Sequence, residues 1–148
     1  MPCRGLSAET RSDYKHKKKE VLHSGHLVVN RFSMYAEGKN PILRALRYVI
    51  CACKHYYYGV RAKDIDVLFV SSTPPIQGAL GALIKKSKHI PFVYNLQDIF
   101  PDSLAGTGLA KKGGLLWKIG RVIENFTYRN ADKIIVISED FTRNLMAK

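Results

Sequence analysis

Cysteine, acidic residues and long apolar runs are all scarce in this chain, and each shortage removes a class of protein. Its three cysteines, Cys3, Cys51 and Cys53, form no CxxC pair and no matching second half, so neither a zinc cage nor a disulfide framework is supported. On a helix, Cys51 and Cys53 would point about 200° apart, which is wrong for one metal ion. Inert thiols and no metal site are expected. No apolar run reaches the ~18 residues of a membrane span. The longest, Tyr48–Cys53 and Val67–Val70, are far shorter, and the Met-Pro-Cys-Arg start lacks the apolar centre of a signal peptide. A cytoplasmic protein is expected. The phosphate-binding patterns GxGxxG and GxxxxGK[ST] are missing, as are the GxSxG elbow and HExxH, so dinucleotide binding is demoted and serine hydrolase and zinc protease drop out. His16, His23, His26, His55 and His89 lie in basic or loop contexts, where no nucleophile–base pair forms.

What is present is a globular composition. The 148 residues, 46% hydrophobic and 24% charged, fit one domain. A domain of that size removes roughly two-thirds of its unfolded surface from water. Against 24 Lys and Arg stand only 12 Asp and Glu, a net charge of +12. Nucleic acid, an anionic membrane surface and a phosphorylated ligand all answer to such a charge, and composition does not separate them. The basic residues fall in short blocks: Lys15 to Lys19; Arg44, Arg47 and Lys54; Lys85, Lys86 and Lys88; Lys111, Lys112, Lys118 and Arg121. The last three blocks flank or lie on amphipathic helices, which points to a basic face on a folded domain.

Residues 1–20 are polar, without apolar period, and read as a poorly ordered basic leader. The rest, 21–148, alternates strand and helix. His26–Phe32 reads as a first strand and Glu37–Pro41 as a turn into a helix with apolar residues Ile42, Leu43, Leu46, Val49, Ile50 and Cys53, closed by Gly59 as C-cap. Asp66–Ser72 reads as a strand buried on both faces. A helix over about 76–87, a strand Pro91–Leu96, a loop through Gly106–Gly108, an amphipathic helix over 115–126, a strand Lys133–Ile137 and a last helix capped by Ser138 complete the order. That order implies an α/β protein with a Rossmann-like parallel sheet, helices on both faces and right-handed crossovers. Gly78 and Gly81, at i and i+3, are expected to let a helix approach the sheet closely.

Phe92–Ser103 carries an apolar strand straight into a polar edge holding Asn95, Gln97, Asp98 and Asp102. Open α/β sheets bind ligands beyond the carboxyl ends of their strands. Ser71, Ser72 and Thr73 end the preceding strand at the same edge, before Pro74 and Pro75. Hydroxyl, amide and carboxylate groups together suit a polyhydroxylated ligand. The other reading, that these side chains only satisfy turn backbone, stays open. Lys85, Lys86 and Lys88, with Lys111, Lys112 and Trp117, form a candidate membrane-facing set; a solvated helix face is the alternative.

Three blocks carry a resemblance: Asp64–Pro75, Ile90–Ser103 with its Gln-Asp-Ile-Phe-Pro-Asp-Ser core, and Ala131–Glu139. Over about Lys17 to Lys148 the chain resembles the amino-terminal, acceptor-side domain of family 4 glycosyltransferases of the GT-B fold. The likeness runs to bacterial enzymes of capsule, O-antigen (lipopolysaccharide) and colanic-acid assembly, including fucosamine transferases. The resemblance implies a glycosyltransferase whose first domain holds a lipid-linked or saccharide acceptor, while a second, donor domain holds a nucleotide sugar. No other cofactor is implied. Retention of configuration is the family expectation, and a catalytic residue is not assigned. Gln97 and Asp98 would face the cleft, with Ser72, Thr73 and Asn95 as further substrate-binding residues. Many relatives carry a His near Asp98; its absence here favours Asp98 as a group that orients a hydroxyl. The family's first strand with its Gly-rich loop and its donor domain lie outside the match. The chain therefore reads as a partial domain, expected to transfer no sugar by itself unless a separate chain supplies the donor half. Within this reading no nucleic acid is expected, and the basic surface meets the inner face of a membrane. The competing class is a non-enzymatic basic module for nucleic acid or anionic membrane.

Overall fold

The computed structural model describes residues 12–34, 40–103 and 111–147. Residues 1–11, with Cys3, most of the Glu37–Pro41 turn and the Gly106–Gly108 loop lie outside them. The chain divides into two units, Met1–Cys51 and Ala52–Lys148.

In the first unit the strand expected at His26–Phe32 is β2, Leu27–Asn30, but it does not join the parallel sheet. It pairs antiparallel with β1, Lys19–Leu22, in the register Lys19↔Asn30 to Leu22↔Leu27. The reason is local. His23, Ser24 and Gly25 all take positive φ, at 52°, 54° and 97°, and turn the chain back on itself within one short 3-10 segment. Non-glycine residues rarely adopt that conformation, so His23 and Ser24 give no turn signal in the sequence. An Arg31–Glu20 ion pair at 2.6 Å ties the two strands, and the Arg31 guanidinium lies over the Tyr14 ring.

Helix α1, Pro41–Arg61, begins at a side-chain cap: Asn40 Oδ1 accepts from the Ile42 N–H at 2.9 Å. Proline at the first helical position needs no N–H partner there, which suits Pro41. The helix runs two residues past Gly59, so Gly59 is not its C-cap. A Cβ at Gly59 would collide with Ile84, so its role is close helix approach.

The second unit is built on the parallel sheet β3-β4-β5: β3 Leu68–Ser71, β4 Phe92–Leu96 and β5 Lys133–Val136. Register runs Leu68↔Phe92 and Ser71↔Asn95, then Val93↔Lys133 and Leu96↔Val136. Helices α2, Ile76–Lys88, α3, Leu115–Asn130, and α4, Glu139–Met146, flank it, which gives the Rossmann-like α/β layout implied by the order of elements. Ser138 caps α4 by accepting from the Phe141 N–H, as its position suggests. Phe92, Tyr94 and Leu96 alternate onto one face and are buried with Ala82. Burying a side chain of that size stabilises by about 1.5–3 kcal/mol. Gly78 and Gly81 permit the approach: a Cβ at Gly81 would stand 2.7 Å from Phe92, and one at Gly78 2.8 Å from Tyr94. The alternate residues differ from expectation. Phe69 on β3 is 60% exposed and Ile135 on β5 is 47% exposed, and Leu68 and Val70 are only partly covered, so β3 is not buried on both faces.

Candidate functional site at the carboxyl edge of the sheet

The ends of β3 and β4 meet at one edge, and hydrogen bonds between them fix the polar residues there. The register sets Ser71 beside Asn95, and Ser72 N–H donates to Asn95 O at 2.9 Å. Ser72 is 3% exposed, and its hydroxyl accepts from the Gln97 N–H at 2.9 Å. Ser71 Oγ donates to Gln97 Oε1 at 3.2 Å. Both strand-end loops carry a cis peptide, Thr73–Pro74 and Phe100–Pro101. Ser72 therefore serves backbone in part, while Gln97 and Thr73 are exposed at the edge and Asn95 is half-buried.

Asp98 turns the other way. It lines a crevice with Pro75, Tyr94, Leu96, Phe100, Glu124, Thr127 and Tyr128, and its Oδ2 accepts from Ser103 Oγ at 3.1 Å. The edge thus carries two neighbouring sets of groups: Ser71, Asn95 and Gln97 from one side of the strands, and Asp98 above the crevice on the other.

Beneath Asp98 lies a charged network that no short motif announces. Glu124 is 5% exposed and pairs with Arg121, while Tyr128 OH donates to its Oε1 at 2.9 Å. Arg121 Nη2 also donates to both carboxylate oxygens of Asp102, at 2.9 and 3.1 Å, and its guanidinium lies 4.7 Å from the Trp117 ring centre. Trp117 Nε1 donates to the same carboxylate at 3.2 Å. Burial, with the charges of Glu124 and then Asp98 added, pushes the Tyr94 hydroxyl up to about 12. Tyr128 is raised as well, by burial first and then by Glu124. Both phenols stay neutral donors at physiological pH.

The membrane-facing set is divided. Lys111 and Lys112 are exposed, beside exposed Leu115 and Leu116 at the start of α3. Lys85 donates to Asn130 O at 2.9 Å and to Asp132 at 2.7 Å, Lys88 donates to Ala62 O, and Lys86 lies over the Phe126 ring. Trp117 is half-buried through its bonds to the Asp102 carboxylate and Arg121. Among the described residues no three His, Cys, Asp or Glu side chains converge as metal ligands. Among the same residues no helix is long and apolar enough to cross a membrane.

A model of the glycosyl transferase 4-like domain matches residues 10–148. The chain is also similar to the probable glycosyltransferase WbjE of Pseudomonas aeruginosa, with 28% identity over 80 residues. Those residues are 54% of this chain and 20% of the relative, so the chain spans a fifth of that protein's length. No solved structure matches significantly. The chain belongs to the glycosyl transferase 4-like family.

Proposed function

We propose that this chain is the acceptor-binding half of a glycosyltransferase that builds cell-surface polysaccharide of the capsule or O-antigen kind. It takes a sugar onto a lipid-linked or saccharide acceptor from a nucleotide-sugar donor held by a second domain. The observation that carries the reading is the strand-end edge, where Gln97, Thr73 and Asn95 offer donors and acceptors while Asp98 stands fixed by Ser103. Family membership supports it. A sugar presents hydroxyls that need both kinds of partner; the Gln97 and Asn95 amides on one side of the strand ends and the Asp98 carboxylate on the other supply both. In this reading Asp98 accepts from an acceptor hydroxyl and orients it toward the donor.

The surface supports a lipid-linked acceptor. Lys111 and Lys112 with exposed Leu115 and Leu116 suit an anionic membrane, where each basic residue near the surface contributes about 1 kcal/mol.

Equilibrium binding of the purified chain to a polyprenyl diphosphate-linked saccharide in detergent micelles tests the proposal. Gln97→Ala and Asp98→Asn should each weaken it about tenfold, the loss of one hydrogen bond to a charged or polar partner. If neither substitution changes the affinity, the site is elsewhere. If only DNA binds, with affinity falling as salt rises, the basic-module reading replaces this one.

A further inference from the structure

Arg121 bridges helix α3 and the segment that follows Asp98. One end of its fork meets buried Glu124 on its own helix, α3; the other grips both oxygens of Asp102 in the segment that follows Asp98. Asp102 receives a further bond from Trp117, and the Arg121 guanidinium stacks on that same indole. The segment is short: Phe100 N–H donates to Asp98 O and Ser103 N–H to Ile99 O, so Asp102 sits one residue from the Ser103 hydroxyl that holds Asp98. Gly120 closes the gap from the helix side, since a Cβ there would stand 2.7 Å from Phe100 and from Pro101.

We infer that Arg121 is a positioning residue for Asp98: its Nη2 bond to both oxygens of Asp102 locks the 98–103 segment onto α3, and Ser103 passes that order to the Asp98 carboxylate. Planar guanidinium is what the task needs, because its rigid plane holds Nη1 toward Glu124 and Nη2 toward Asp102 in fixed relative directions. The buried Glu124 carboxylate fixes the guanidinium in turn. The inference rests on the reading of Asp98 as an acceptor-orienting group.

Arg121→Lys is the deciding variant, since one ammonium keeps a positive charge for buried Glu124 but does not reproduce the fork. Asp102→Asn approaches the same bond from the other side and leaves the Arg121–Glu124 pair intact. Amide hydrogen exchange of the full chain should run about tenfold faster at residues 99–103 in both variants, with β4 unchanged. Affinity for the micellar polyprenyl diphosphate-linked saccharide should fall about tenfold in both, and the double variant should lose no more than either single one. Unchanged exchange at 99–103, exchange raised equally in β4, or a loosened segment with full affinity would each overturn the inference. Should the unsubstituted chain bind no saccharide, the functional reading fails, and the exchange measurement alone still decides whether Arg121 orders the segment.

Discussion

Asp132 joins three elements through one carboxylate: it accepts from Lys85 on α2 at 2.7 Å and from the Phe92 N–H at the start of β4 at 2.7 Å, just before β5 begins. The Lys85 bond first, and the Phe92 N–H next, hold its carboxyl below the usual carboxylate range. A folded-state value below the unfolded one means stability that is present above about pH 4 and lost as pH falls through the lower, folded value. Thermal midpoints between about pH 5 and pH 2 should therefore drop less steeply for Asp132→Asn than for the unsubstituted chain; equal slopes would remove Asp132 from the account. Tyr94 works at the other end of the scale. Its hydroxyl is raised to about 12 in the folded state, so the contribution is present below an unfolded value of about 10 and lost as pH rises through 12. Tyr94→Phe should flatten the alkaline loss of stability between those values in denaturant titrations.

At this scale the sequence is legible only in part. Ser72, Gln97 and Asp98 stood out because a polar cluster directly after an apolar strand is a local pattern. Arg121, Glu124 and Asp132 did not, since their partners are fixed by folding: Asp132 meets Phe92 across 40 positions and Arg121 meets Asp102 across 19. A buried glutamate on a helix looks like any solvated one until its partners are known. Lys85 and Trp117 read as surface groups for the same reason, and the fold gives them Asp132 and Asp102 as partners.

Among elements, the run from β3 through α4 followed the periodicity of the apolar residues closely. Two residues apart on β4, Phe92, Tyr94 and Leu96 share the covered face, and Gly78 and Gly81 meet them from α2. Gly81→Ala tests that close approach. A new methyl 2.7 Å from fully buried Phe92 forces overpacking of roughly 1–3 kcal/mol, against a gain in helix propensity of about 1 kcal/mol. Urea denaturation should show a net loss of up to about 2 kcal/mol by that difference; a gain in stability would mean that α2 shifts freely on the sheet. Elsewhere the elements escaped prediction because tertiary approach or rare backbone decided them. Gly59 follows three tyrosines as a cap would, yet Ile84 takes the space above it. The β1–β2 hairpin depends on left-handed His23 and Ser24, residue types that carry no such signal.

For the whole molecule, +12 is an overstatement of the charge free to attract a partner. Lys85 and Lys88 are committed to internal acceptors, while Lys111 and Lys112 remain exposed next to Leu115 and Leu116. Lys111→Glu with Lys112→Glu should abolish sedimentation with anionic vesicles at low salt, whereas Lys85→Gln should lower stability more than vesicle binding. The reverse pattern would move the membrane face to the end of α2. The fold class was legible at this scale because alternating strand and helix leaves few arrangements, whereas the internal use of lysines was not, because composition counts charge without its partners.

Acceptor binding at the carboxyl edge of β3 and β4 is open to direct measurement. Amide chemical shifts of labelled protein, recorded while a polyprenyl diphosphate-linked saccharide in micelles is added, test it most directly. Saturable shifts are expected at Ser72, Thr73, Asn95, Gln97 and Asp98, reaching saturation at about tenfold higher saccharide concentration in Asp98→Asn. Saturable shifts confined to other residues, or none at any saccharide concentration, would contradict it.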